Sequence, residues 1–524
     1  MLPILVDAHE DLAYNILNFG RDYARAAAET RRIEKESLSS APGINGETLL
    51  GWPDYQRGRA AVIFSTLFVT PIRRREGDWD KQVYADTSQA HGLYCAQLDV
   101  YHKLVDDHPR QFRLIGSRTD LEAVLSHWAD PEVESHPVGL VPLMEGAEGV
   151  RTPSELEQWW EWGVRVIGPA WAGTRFCGGT RDPGPLTDDG RALLAAMADI
   201  GFTLDLSHMD KLSVRQSLDL YQGPIIVSHA NAAALLPGYD GNRLLVDEVI
   251  QGILERDGII GVTPFCRFLN LEWKKGDPRD GITLETLAAH VDHICQMAGD
   301  ARHVGLGSDF DGGFGLSAVP AGIDTIADLQ KLGPVLAAKG YNGEQVAAVL
   351  GGELVATLAD IFTMTTSDQA SPYSEPSTSG IPSRMRIRAG LLLTLLGLLV
   401  FLVGARPSFF DLDRSPVVGF VQIAVFLVGL AIICMGGYIG LMSFWRNGNR
   451  TIAADIGSRL VATGYVVAVF SGMADVFGFG SQSPPRVPFF GPWQATGVQI
   501  GEALIAIGFL LLIPYHWRKK KDAK

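Results

Sequence analysis

Cysteine is scarce in this chain: there are five in 524 residues (Cys95, Cys177, Cys266, Cys295 and Cys434), none close to another. An odd number without short spacings excludes a disulfide framework and a thiolate metal site, and it fits a reducing compartment. Basic charge is equally sparse in the front of the chain. Residues 1–373 hold 31 Lys and Arg against 52 Asp and Glu, a net of −21, which argues against nucleic acid as a partner because phosphate binding needs a basic surface. From Ser374 onward the sign reverses, with 14 Lys and Arg against 7 Asp and Glu, a net of +7. The N-terminus lacks the basic n-region and cleavable apolar stretch of a signal peptide. It reads Met-Leu-Pro-Ile-Leu-Val-Asp-Ala-His and leads directly into a strand.

A chain of this length is expected to hold more than one domain, because single cores stop growing at roughly 250–300 residues. Residues 1–362 alternate short apolar runs with longer amphipathic segments. The runs are Leu2–Val6, Ala61–Leu67, Gly139–Met144, Val164–Gly168, Phe202–Leu206, Pro224–Ser228, Gly258–Thr263 and His303–Ser308. About eight strands alternating with helices predict an α/β fold, a (β/α)8 TIM-like barrel. The segment from Asn18 to Gly58, rich in charge, Gly and Pro, is expected to be a loop-and-helix insertion flanking the site. Residues 363–383 are Ser, Thr and Pro throughout much of their length and read as a linker. Residues 384–524 then carry four apolar spans, Ala389–Ala405, Pro416–Trp445, Leu460–Phe479 and Trp493–Tyr515, each near or above the ~17–25 residues that cross a bilayer. A C-terminal bundle of about four transmembrane helices follows from this. Arg384, Arg386 and Arg388 precede the first span, Arg446 and Arg450 follow the second, and Arg518, Lys519, Lys520 and Lys521 follow the fourth. That bias places the barrel and the C-terminus in the cytoplasm. Asp475 and Glu502, inside the spans, are read as neutral carboxyls bonded to Gln499, Ser471 or Thr463 between helices.

Several residues with metal-binding or catalytic chemistry follow the apolar runs. His9 and Asp11, two apart, point to one face of a strand and can reach one ion. Glu145 ends another run and has two oxygens with which to bridge. His208 and His229 each close a Ser-His dipeptide, 21 residues apart, about one βα repeat. Imidazole suits zinc, and two imidazoles with a carboxylate leave a position for water. Asp309 follows Val-Gly-Leu-Gly-Ser. A lone His at a strand end is more often structural, but the group taken together points to a divalent metal site. His290 and His293, three apart on an amphipathic segment, are expected on its solvated face.

These residues carry a resemblance. Residues 1–362 resemble the membrane (renal) dipeptidase family of dinuclear zinc peptidases, through Asp7-Ala-His9-Glu-Asp11, Met144-Glu145-Gly146, Leu206-Ser-His208, Ser228-His229-Ala-Asn231, Arg243 and Gly307-Ser-Asp309-Phe-Asp311-Gly312. The resemblance implies two zinc ions, one held by His9 and Asp11, the other by His208 and His229, with Glu145 bridging. It further implies that a hydroxide between the ions attacks the peptide carbonyl, that Asp309 shuttles protons and that Arg243 grips the substrate carboxylate. A dipeptide is the implied substrate, the bilayer the second partner, and a homodimer a third that such barrels allow. Trp171 stands where the family commonly has a histidine in a Leu-Thr-His context, and Glu353 where asparagine is usual after Gly-Gly. Trp171 would therefore border the substrate and bear on its identity. Two other readings stay open: a metal amidohydrolase of a non-peptide amide, lactam or ester, and a membrane-bound barrel that senses a ligand.

Overall fold

The computed structural model describes residues 2–130, 135–364, 383–412, 420–442, 452–475 and 490–513. The chain divides into two compact units, residues 1–374 and 375–524. Of the expected linker 363–383, Thr363 and Met364 close the helix Glu353–Met364 and Ser383 opens the next helix, while 365–382 lie outside the described residues.

Eight parallel strands build the first unit: β1 (Leu5–Glu10), β2 (Ala60–Phe68), β3 (Val138–Glu145), β4 (Val166–Gly168), β5 (Thr203–Asp205), β6 (Ile225–Val227), β7 (Ile259–Val262) and β8 (Val304–Leu306). Each pairs with its neighbour in the sequence, and β8 returns to β1 with Leu306 opposite Asp7, so the sheet closes into a barrel. Closure explains the uninterrupted apolar runs. One face of every strand meets the barrel interior and the other meets helices, so no strand has a wet side that would require alternation.

The first strand departs from its expected bounds. It runs from Leu5 to Glu10, later than the Leu2–Val6 run, because its polar residues are satisfied inside the barrel. Asp7 Oδ1 accepts from the Ser308 backbone N–H at 2.7 Å, and Glu10 accepts from the Tyr55 hydroxyl. A second departure concerns His290. Helix Leu284–Ala298 buries Leu287, His290, Val291 and Ile294 along one stripe, so His290 faces the core, where burial lowers its pKa to about 4. His293 lies on the outer side and meets Asp247 Oδ1 at 2.8 Å.

The Asn18–Gly58 insertion contains helices Ala27–Glu36, Ala41–Asn45 and Trp52–Gly58. It is tied to the loop after β8 through Asp311, whose carboxylate accepts from Arg21 Nη1 (3.0 Å), the Tyr23 hydroxyl (2.6 Å) and Thr48 Oγ1 (2.7 Å).

Among the described residues, the second unit holds four apolar helices, Ser383–Ala405, Phe420–Met442, Ile452–Gly472 and Pro492–Leu512. They pair as two antiparallel hairpins along seams of small residues: Gly390 meets Gly440 in the first and Gly464 meets Gly501 in the second, where a Cβ added at Gly390, Gly464 or Gly501 would collide with facing backbone. Val421–Leu441 and Pro492–Leu512 are long and apolar enough to span a membrane, and Gly390–Ala405 is a shorter apolar helix. The barrel-side helix Gly343–Phe362 is also long and apolar enough, though less apolar than those two. Its Leu350, Leu354, Leu358 and Phe362 are buried in the barrel unit's core, so its hydrophobicity serves packing. Asp475 Oδ1 is buried without a hydrogen-bond partner among the described residues.

Candidate metal centre

The chemistry-bearing residues meet at the C-terminal end of the barrel. His9 is the penultimate residue of β1 and Asp11 directly follows that strand. Glu145 is the last residue of β3. His208, His229 and Asp309 stand two or three residues past β5, β6 and β8. Glu145 divides its two oxygens. Oε1 lies 3.0 Å from His208 Nε2 and 3.5 Å from His229 Nε2, whereas Oε2 lies 3.8 Å from His9 Nε2. On the His9 side, Asp11 Oδ2 and Asp309 Oδ1 complete a second group at 3.8 and 3.9 Å from the same Nε2. Two donor sets therefore sit on either side of one carboxylate.

The backbone is turned to achieve this. His208, Asp309 and Asp311 all adopt left-handed φ values, 63°, 57° and 62°, which cost free energy for residues other than glycine. Gly146 (φ 76°) performs the same turn after Glu145 without that cost.

Burial in a crowded site shifts His9, Asp11, Glu145, His208, His229 and Asp309. Desolvation and the Arg243 charge hold His9 down to about 3, and His208 and His229 are also lowered well below the ordinary histidine value, so all three imidazoles are neutral. Asp11 and Glu145 are raised by burial and by neighbouring carboxylates, and Asp309 is raised by burial to about 8. His9 Nε2 and Asp11 Oδ1 are buried without a hydrogen-bond partner. Neutral imidazole nitrogens, converging carboxylates and orphaned buried lone pairs form a donor set that divalent cations satisfy, so the residues present fit the metal.

The centre opens into a cavity of about 690 Å³. Arg243, in the loop after β6, is 9% exposed; one guanidinium nitrogen donates to the His229 carbonyl at 2.7 Å, while Nη1 is buried without a partner. Its guanidinium also lies 5.2 Å from the Phe268 ring centroid. Trp171, past β4, lines the cavity with Phe68 5.1 Å and His208 6.3 Å away, centroid to centroid. Tyr14 extends this aromatic wall, 5.4 Å from Phe68.

Sequence reasoning passed over the residues behind the ligands. Thr180, at the turn of the hairpin Cys177–Gly179/Asp182–Leu186, places Oγ1 3.0 Å from His208 Nδ1. Asp205, Ser207 and Ser228 form a buried polar cluster behind His9 and His229. Ser207 and Ser228 sit in the Ser-His dipeptides, a signal that was visible; Thr180, in a separate loop, left none.

Comparison with known proteins agrees with this arrangement. Residues 3–372 match the family described as membrane dipeptidase (peptidase family M19). The dipeptidase aclJ of Aspergillus oryzae is 26% identical over 346 residues, covering 63% of this chain and 75% of its own. Among solved structures, a metallopeptidase from Rhodobacter sphaeroides, liganded with a phosphinate mimic of L-Ala-D-Ala, superposes with a TM-score of 0.55 at 22% identity, covering 68% of this chain and 99% of its own. The probable dipeptidase PvdM of Pseudomonas aeruginosa gives 0.55 at 18% identity, with 69% and 96% covered. These two likenesses concern the barrel fold. The match across the whole first unit is to one family, and the chain belongs to the membrane dipeptidases.

Proposed function

We propose that the barrel hydrolyses dipeptides with two zinc ions, one held by His9, Asp11 and Glu145 and the other by Glu145, His208 and His229. Metal-dependent dipeptide hydrolysis is the activity of the family to which the chain belongs. The observation that carries the two-ion form is Glu145, whose Oε1 faces His208 and His229 while Oε2 faces His9. Ions bound there would supply Lewis acidity and a water acidic enough to ionise near neutral pH.

The chain's own residues divide the remaining work. Asp309 Oδ1 borders both the His9 group and the cavity, so it takes the proton of the attacking water and returns it to the departing amine. Arg243 keeps Nη1 unpaired and buried beside the same cavity, where a substrate carboxylate would complete its planar fork. The Tyr14, Phe68 and Trp171 wall excludes water and packs against the substrate. The apolar C-terminal helices support attachment to a bilayer, and the Arg and Lys residues flanking the spans support a cytoplasmic barrel.

A second reading draws on Trp171. An indole cannot offer a substrate the hydrogen-bonding options of the usual histidine, which favours a non-peptide amide, lactam or ester. Metal content and turnover of the full-length chain in detergent micelles, beside His208→Ala, separate these readings. About two zinc per chain and release of free amino acids, lost in the variant, is the expected result. Two zinc with turnover of lactones or N-acyl amino acids but no dipeptide would sink the dipeptidase reading. The absence of stoichiometric metal would sink both.

A further inference from the structure

Behind the proposed ligands a single hydroxyl touches histidines from both ion positions. Ser228 Oγ lies 2.8 Å from His229 Nδ1 and 3.3 Å from His9 Nδ1. It also lies 2.6 Å from Asp205 Oδ2, to which it donates, and 3.0 Å from Ser207 Oγ. All five residues are at most 2% exposed, so water does not compete for these bonds.

A serine hydroxyl carries one proton and two lone pairs. Its proton is directed to Asp205, because a carboxylate oxygen can only accept. The rest of that carboxylate is engaged as well: Oδ1 accepts from the backbone N–H groups of Ser207 (3.0 Å) and Ser228 (2.9 Å). Ser228 Oγ can then only accept, from His229 Nδ1, from the Ser207 hydroxyl and, at the longest distance, from His9 Nδ1, which share its two lone pairs; each Nδ1 bonded to it must carry a proton. Both rings then present a bare Nε2 at the opposite edge. Those edges point to Glu145, His229 Nε2 toward Oε1 and His9 Nε2 toward Oε2. The rings lie at 38° to each other with centroids 3.8 Å apart, and their shared partner links them. The hydroxyl is itself held in place, since the Ser228 carbonyl fills the space beside Gly261 and Gly307, where a Cβ would overlap it.

We infer that Ser228, aligned by Asp205, is a positioning residue that fixes the same tautomer in His9 and His229 and thereby couples the affinities of the two ion positions. His208 is set separately, through Thr180. The inference rests on the two-ion reading of the site. It makes Asp205→Asn informative, because that change preserves shape and reverses polarity. The amide oxygen must still accept from the two backbone N–H groups, so its NH2 faces Ser228 Oγ. The serine proton must then turn toward an imidazole or Ser207 Oγ while the amide takes one of its lone pairs, so the hydroxyl no longer fixes one tautomer in both rings.

The test is stepwise zinc binding by the full-length chain in detergent, measured by competition with a chromophoric chelator. Ser228→Ala and Asp205→Asn should each weaken both binding steps by about 10–100-fold, the usual scale for losing such a partner. Thr180→Val should weaken one step only. Should Ser228→Ala fail to fold, Asp205→Asn and the histidine 15N spectrum of the wild-type chain decide, with unprotonated Nε2 expected for His9 and His229. Wild-type binding of two ions with both variants unchanged, or a loss confined to one step, overturns the coupling while leaving the metal reading intact. A wild-type chain that takes up no zinc overturns the metal reading, and the coupling with it.

Discussion

Stripping divalent ions from the full-length chain should make its stability fall as pH rises from 6.5 to 8. Asp309 sets the sign. Burial raises its carboxyl from 3.8 to about 8, against the opposing pull of Arg243. Between those values the folded chain retains a proton that the unfolded chain has released, so the fold loses free energy with each step upward in pH. The histidines act in the other direction, being held neutral in the fold; His9 is lowered from 6.5 to about 3. Their effect is halved at the ordinary value of 6.5, where half of the unfolded chain's histidines are neutral, and it fades over the next pH unit. Above about pH 7.5 the carboxylates alone set the slope. At ~1.4 kcal/mol per pH unit, Asp309 alone removes about 2 kcal/mol by pH 8. Asp11 and Glu145, also raised, act with the same sign. Bound zinc neutralises all three and should abolish the slope. Denaturant unfolding followed by tryptophan fluorescence, at pH 6.5 and 8 with chelator or zinc, reads the difference. The Asp309→Asn chain, stripped of ions, should show a shallower slope. A level or rising stability of the stripped wild type across this window would refute the reasoning.

Two further outcomes follow from single contacts. Arg243→Lys removes the planar fork while keeping the charge, so KM for dipeptides should rise at least tenfold with zinc content unchanged; steady-state kinetics beside metal analysis checks this. Gly307→Ala forces a Cβ into the Ser228 carbonyl at the junction of β6 and β8, and should cost about 1–3 kcal/mol or more in unfolding together with a loss of zinc affinity.

The barrel was legible in the sequence because both faces of a parallel strand are buried, which leaves apolar runs such as Ala61–Leu67 and Gly139–Met144 with nothing to interrupt them. Where polar residues occupy a strand the signal failed. β1 ends in Asp7, His9 and Glu10, and only their partners Ser308 and Tyr55, distant in sequence, show that it continues to Glu10. His290 failed for a related reason: its helix buries a broad stripe, and spacing alone does not say which neighbour of Leu287 turns inward.

The residue types of the site were likewise set by the sequence, since His9, Asp11, Glu145, His208, His229 and Asp309 all lie at or just past strand ends and a closed barrel gathers those ends at one rim. Tertiary structure alone decided how they divide. The two oxygens of Glu145 face different histidines, and one serine hydroxyl reaches two rings from strands far apart in the chain. Such assignments depend on distances of a few ångströms between segments as far as 219 residues apart, which no local pattern of residues encodes.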